Sequence, residues 1–196
     1  MTVRFRKFDG TELHRILKLS EPPLSHHEIA RGPFCQLRYL RRYVADLEPR
    51  CRSIVIEDNY IDRDYMEDHS VFYSRSLRGY SNFCTRVHFF TLPVDRLPTT
   101  LKALARRIRS GRDQYRAACR EFSEHAYIGF TTIKPLHGCP VGRTILRCYP
   151  QASSKVGERR EFQGALDNEI HLLGVELNVC GLAFQQQDLG VSACAT

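Results

Sequence analysis

The chain has 196 residues, of which 42% are hydrophobic and 26% are charged, and these values exclude fibrous, collagen-like and wholly disordered proteins. Its formal net charge of +7 permits binding to nucleic acids or anionic lipids without establishing either. No run of about 20 apolar residues occurs, and charges interrupt the N-terminal segment MTVRFRKFDG, so we expect no membrane span, no signal peptide and a cytoplasmic location.

Hydrophobic periodicity predicts alternating helices and strands, and therefore a mixed α/β (α+β) fold. Apolar residues spaced by three and four are typical of helices, whereas short β-branched and aromatic runs are typical of strands. In chain order we predict a strand at 2–8, helices at 11–19 and 34–47, a strand at 53–57, a helix at 62–73, a strand at 85–92, a helix at 94–109, strands at 126–133 and 142–149, and a strand-rich segment at 169–184.

One segment has the composition of a linker. Residues 149–157 are rich in Pro, Gln, Ser and Gly, which favours an irregular connection. We therefore place a domain boundary near residue 150, with an α/β accessory region of unknown role at 1–150 and a second unit at 151–196.

The eight cysteines do not have the spacing of a metal site. No pair forms C-x-x-C, and His137 and Cys139 are the His and Cys that lie closest together in the sequence. A structural zinc site needs four ligands, which usually come in such pairs. We expect mostly buried, reduced thiols, and we predict no metal and no cofactor.

The last twelve residues, QQQDLGVSACAT, place three glutamines ahead of Cys194. A thiolate is a nucleophile, and the pKa of a thiol falls at a helix N-terminus. A Gln side-chain amide and the backbone N–H of the cysteine can together stabilise an oxyanion. A segment of this kind is therefore suited to amide hydrolysis.

This segment resembles the nucleophile segment of papain-like cysteine peptidases, most closely the bacterial C39-like families, over about the last 30 residues. The resemblance implies that Cys194 is the nucleophile, that Gln187, or Gln186 beside it, has the oxyanion role, and that 151–196 is the start of a papain-like domain acting on peptides or proteins. The spacing differs, because the family Gln lies six residues before the Cys, where this chain has Asp188.

The general base of such a peptidase is missing from the expected place. Papain-like peptidases take their His and Asn or Asp from about 130–150 residues beyond the Cys, whereas only Ala195 and Thr196 follow Cys194 here. All eight histidines precede it, and His171 is the nearest in sequence. We therefore expect a truncated, inactive peptidase fragment, with a separate complementing chain as an alternative source of the missing half.

The alternative function is a nucleic-acid or protein binding module that uses an Arg-rich helix at 101–120. Tyr115 is the only aromatic residue in this segment, which gives base stacking little support, and a solvated basic face explains the charges as well. We therefore do not expect nucleic acid as the main partner. The cations have the spacing of a phosphate-binding stripe: Lys102, Arg106, Arg107, Arg109, Arg112, Arg116 and Arg120.

Two further features have a structural and a functional interpretation. The acidic residues from Glu57 to Asp68 are candidates for Mg²⁺ binding, but acids at a helix start are stabilised by the helix dipole, and we favour that explanation. His88 in VHFF is interpreted as a core residue with satisfied hydrogen bonds rather than as a catalyst.

Overall fold

A computed structural model describes residues 2–9, 34–46, 50–136, 139–148 and 164–186. These residues form a mixed fold of helices and strands, as the sequence predicts. The predicted helix at 11–19, the linker at 149–157, and both Gln187 and Cys194 lie outside the described residues.

The described elements are seven strands and four α helices. In chain order they are β1 (Thr2–Lys7), α1 (Phe34–Asp46), β2 (Ser53–Tyr60), α2 (Arg63–Val71), β3 (Cys84–Phe90), α3 (Leu97–Arg106), α4 (Arg112–Ala126), β4 (Tyr127–Ile133), β5 (Val141–Arg147), β6 (Leu166–Leu172) and β7 (Val175–Phe184). Short 3-10 turns follow α2 at Tyr73–Arg75 and α3 at Arg107–Ser110.

The strands form one curled antiparallel sheet in the order β1-β2-β3-β4-β5-β7-β6. Three strands separate β3 from β6 in this order, yet Nη2 of Arg86 on β3 donates a hydrogen bond to the carbonyl oxygen of His171 on β6 at 2.9 Å. The curl therefore brings the last strand of the sheet back over one of its faces.

The two faces of the sheet have separate cores, because successive side chains of a strand point to opposite sides. Ile54 and Ile56 of β2 pack with Leu40 and Val44 of α1 on one face. On the other face, Val55 belongs to a cluster with α3, α4 and the β6–β7 hairpin. Glu57 of β2 and Arg86 of β3 lie on this second face, opposite each other in the register.

Two glycines let the backbone of β5 approach its neighbours closely. A Cβ on Gly129 of β4 would lie 2.1 Å from the Ile145 carbonyl oxygen, and one on Gly181 of β7 would lie 2.1 Å from that of Leu146. Neither distance is compatible with a side chain, so glycine is required at both positions.

The basic segment differs from its prediction as a single helix at 101–120. The chain leaves the helix at Arg107–Ser110 and starts α4 after Gly111, whose φ is +117°. Glycine adopts this conformation readily, whereas other residues rarely do. The prediction of one continuous helix is therefore wrong, and α4 extends to Ala126.

The strand-rich segment after residue 164 is a hairpin. Its turn contains Leu173 and Gly174 with φ of 51° and 79°, the positive values of a type I′ turn. Since β7 pairs with β5, residues 166–184 share one sheet with the strands that precede residue 150. The boundary expected there falls inside the sheet.

Among the described helices, none combines the length and the apolar character that a membrane span requires.

Candidate functional site

The structure describes only some of the residues that are predicted to form a peptidase site. Of the glutamines considered for the oxyanion role, Gln186 is described. Its backbone N–H donates to the Val141 carbonyl oxygen at 2.9 Å, and its Oε1 accepts from the Val141 N–H at 3.3 Å. His171 is exposed on β6, with Nε2 3.8 Å from Oε1 of Glu169. The roles of Cys194 and Gln187 stay predictions.

The cations of α3, the following turn and α4 all point to solvent. We call this set the basic surface: Lys102, Arg106, Arg107, Arg109, Arg112, Arg116 and Arg120, each exposed. The opposite sides of both helices are apolar and buried, with Leu101 and Leu104 on α3 and Cys119 on α4. Packing of those sides against the sheet therefore fixes the direction of the cations.

The basic surface is largely without counter-charge. Among the described residues, Arg116 is its only member in an ion pair, with its Nε 3.3 Å from Oε2 of Glu176. Asp113 is the one acidic residue between 101 and 120. Arg112, Arg116 and Arg120 repeat every fourth residue, so they form a row along α4 with steps of about 6 Å.

The aromatic residue of this segment is not available to a ligand. The side chain of Tyr115 is 1% exposed. Its hydroxyl donates to the Gly174 carbonyl oxygen at 2.8 Å and accepts from the Glu176 N–H at 3.0 Å. Tyr115 therefore joins α4 to the hairpin and cannot stack on a base.

A cleft of about 320 Å³ opens on the face of the sheet that α3 and α4 pack against, between β3, β4, β5 and β6. Its floor is apolar, whereas its walls carry charges of both signs. The residues that define the cleft are Tyr60, Arg86, Phe130, Arg143, Ile145 and Glu169.

A buried polar network lies under the cleft wall. Glu57, 1% exposed, accepts from Nε of Arg86 and lies opposite it in the β2–β3 register. The fully buried His88 has Nε2 2.9 Å from Oε2 of Glu57 and Nδ1 2.8 Å from the hydroxyl of Tyr127. Because an ionised carboxylate only accepts, Nε2 of His88 carries the proton and Nδ1 accepts from Tyr127.

The ionisation of this network follows from burial and hydrogen bonding. Burial alone raises the pKa of Glu57, but the hydrogen bonds from His88 and Arg86 outweigh it and hold that pKa below its ordinary value. Burial lowers the pKa of His88 and raises that of Tyr127 well above its ordinary value. The network therefore holds one carboxylate, one guanidinium, a neutral imidazole and a neutral phenol.

Arg86 connects this network to the cleft. Its guanidinium lies over the Tyr60 ring, with Cζ 4.1 Å from the ring centroid, and it also donates to the His171 carbonyl oxygen. Burial raises the pKa of Tyr60, so its hydroxyl stays protonated. Tyr60 and Arg86 thus present N–H and O–H donors in the wall of a partly apolar cleft.

The acidic cluster after β2 is built as a helix start. Asp62 is the N-cap of α2, and its Oδ1 accepts from the Tyr65 N–H at 3.0 Å, which satisfies a free backbone donor of the first turn. Within the part of the chain that the structure describes, no three His, Cys, Asp or Glu residues are grouped to hold a metal ion.

Cys51, Cys84, Cys119 and Cys139 are buried free thiols, and Cys148 and Cys180 are free thiols that are more exposed. Burial raises the pKa of Cys51 and of Cys84 to about 12, so these thiols stay neutral and unreactive at physiological pH. Cys139, considered with His137 as a metal pair, packs with Tyr65 and Leu136 in a small core cluster, and His137 lies outside the described residues.

Sequence reasoning did not single out Arg86, Arg143 or Tyr60. The available signal was the presence of charged side chains inside apolar strands: Glu57 ends SIVIE, and Arg86 alternates with His88 in TRVHFF. Their meeting depends on the register of β2 and β3, which the sequence does not specify.

No family model matches this chain, and no curated protein and no solved structure is significantly similar to it. The function must therefore be inferred from the residues of the chain itself.

Proposed function

We propose that this protein binds nucleic acid through the phosphate backbone, with the basic surface as its contact site. The observation that carries the proposal is that all seven cations of the surface are exposed, while six of them have no ion-pair partner among the described residues. Unpaired cations on adjoining helical segments attract a polyanion and release its counterions on binding.

The proposed binding is independent of base sequence. Contacts to phosphates fix the position of a protein on nucleic acid but do not read bases, and Tyr115 is buried beneath the surface. Binding to single strands usually relies on exposed aromatic residues. We therefore expect duplexes of different sequence to bind equally well, and a single strand to gain nothing from stacking.

The expected salt dependence follows from the number of contacts. Each neutralised phosphate of duplex DNA contributes about −0.9 to the slope of log K against log salt concentration. A duplex that contacts three arginines of the surface gives a slope of about −2.7, and all seven cations set a limit of about −6.3.

The test compares two variants with the same loss of charge. In R109Q/R112Q/R120Q the basic surface loses three unpaired cations. In the control R42Q/R75Q/R78Q three exposed arginines are lost from other parts of the structure. Fluorescence anisotropy of a labelled duplex is measured over a series of salt concentrations.

We expect the slope of the first variant to be less steep by about 2.7, and that of the control to keep the wild-type value. Equal losses in both variants would show that only the net charge acts. Absence of wild-type binding at about 50 mM salt and 100 μM protein would overturn the proposal, because non-specific complexes have dissociation constants of roughly 1–100 μM.

A further inference from the structure

The cleft between β3 and β6 is separate from the basic surface and has its own chemistry. Its volume of about 320 Å³ is at the lower end of small-molecule sites. A cavity of this volume with equal sides is about 7 Å across, so opposite walls are within reach of one small molecule.

The floor of the cleft is apolar but already covered by neighbouring residues. Phe130, Ile145 and Ile170 line it, and all three are nearly completely buried. Because apolar stabilisation scales with the area removed from water, these side chains offer a ligand little of it. The polar and charged side chains of the walls therefore determine which ligand fits.

The walls offer charges of both signs. Arg86 is neutralised by Glu57, and Arg63 is paired with Glu67. Arg143 on β5 is exposed, lines the cleft and has no ion pair with any described residue.

Asp62, Asp64 and Glu169 are the acidic residues that line the cleft, and Asp62 is already engaged as the N-cap of α2. Asp64, like Arg143, has no ion pair within the described ranges, whereas Glu169 has only the 3.8 Å contact with the exposed His171. A ligand with only a negative charge would be attracted by Arg143 but repelled by these carboxylates. A ligand with only a positive charge would be attracted by the carboxylates but repelled by Arg143. A ligand with both charges satisfies both sides.

We propose that the cleft binds a small zwitterion, such as an α-amino acid. Its carboxylate is held by Arg143 and its ammonium group by Glu169 and Asp64. This site does not depend on nucleic-acid binding, since none of its residues belongs to the basic surface.

Three ligands with the same side chain but different charge test the proposal. Leucine has both charges, N-acetyl-leucine keeps the carboxylate alone, and leucinamide keeps the ammonium group alone. Binding to the full chain is measured by saturation-transfer NMR at neutral pH. We expect leucine to bind at least tenfold more tightly than either analogue, because each analogue lacks one charge pair.

Two variants assign the ends of the ligand. R143Q is expected to weaken leucine binding about tenfold and to leave leucinamide unchanged, whereas E169Q is expected to weaken leucine and leave N-acetyl-leucine unchanged. The variant R78Q, an exposed arginine outside the cleft, is the control. Thermal unfolding of each variant shows that the fold is kept.

Three results would overturn the inference. They are the absence of leucine binding up to about 10 mM, equal binding of leucine and N-acetyl-leucine, and unchanged leucine binding in R143Q. All can occur while duplex binding is intact, so failure here is distinguishable from failure of the proposed function.

Discussion

The buried pair of Glu57 and Arg86 allows the energetics of the network to be predicted. Glu57→Leu removes the carboxylate and leaves the guanidinium of Arg86 without its counter-charge, at a side-chain exposure of 11%. Arg86→Met does the converse and leaves a carboxylate that is 1% exposed. Breaking a buried pair from one side costs about 3–5 kcal/mol of unfolding free energy, and these low exposures leave little screening by solvent.

The double variant Glu57→Leu/Arg86→Met removes both charges together. Replacing a buried ion pair by apolar residues of similar volume is close to neutral. The double variant still leaves the N–H of the fully buried His88 without an acceptor. An unsatisfied buried donor lowers the unfolding free energy by about 1–3 kcal/mol. We therefore expect the double variant to lose about 1–3 kcal/mol, although the two single losses add up to about 6–10 kcal/mol.

Urea unfolding followed by far-UV circular dichroism measures all four proteins, because the chain has no tryptophan to report by fluorescence. Glu57→Gln serves as a milder single variant, since its amide oxygen still accepts from His88. The reasoning is refuted if the double variant equals the sum of the single ones within about 0.5 kcal/mol, or if each single variant costs less than about 1 kcal/mol.

Three more predictions concern other parts of the molecule. Gly129→Ala is expected to lower the unfolding free energy, measured in urea, by about 2–5 kcal/mol, because its Cβ would lie 2.1 Å from the Ile145 carbonyl oxygen and φ is +136°. Gly79→Ala, where a Cβ has open space, should cost only about 1–2 kcal/mol. Equal costs for the two variants would contradict the close approach at Gly129. Burial lowers the pKa of His88 in the fold, so the unfolded chain binds this proton first and the unfolding free energy falls as pH drops below about 6.5, by at most about 1.4 kcal/mol per pH unit. In His88→Phe that pH dependence of the unfolding free energy should be weaker. An unchanged slope would contradict its assignment to His88. Cys194 is expected to be a thiol without an activating base, so it should react with iodoacetamide at neutral pH no faster than free cysteine. The variant Cys194→Ser serves for subtraction, and a tenfold faster rate would refute this expectation.

Much of the fold could be predicted because its signals are local. SIVIE and TRVHFF are short apolar runs with β-branched and aromatic residues, and they form β2 and β3. The leucines at 97, 101 and 104 have helical spacing and form the buried side of α3. The helix predicted at 94–109 covers α3 and the 3-10 turn after it, but no separate helix is predicted for α4.

The cleft could not be predicted because it depends on distant contacts. Glu57 lies opposite Arg86 only through the β2–β3 register, and the long connection between these strands contains α2, so no short turn specifies the register. Arg143 and Glu169 line the same cleft although they lie on different strands, β5 and β6, which do not pair with each other. Neither composition nor periodicity contains that information.

The hydrogen bond from Arg86 to the backbone of β6 also has a consequence for how fast the chain folds. The residues it joins are 85 positions apart in the sequence, whereas β6 and β7 are joined by the two-residue turn at Leu173 and Gly174. A hairpin of this kind forms in about 1–10 μs, but contacts of large sequence separation close slowly because chain entropy is lost before they stabilise the structure. We therefore expect the hairpin to form early in folding and its docking over β3 to be among the last and slowest steps.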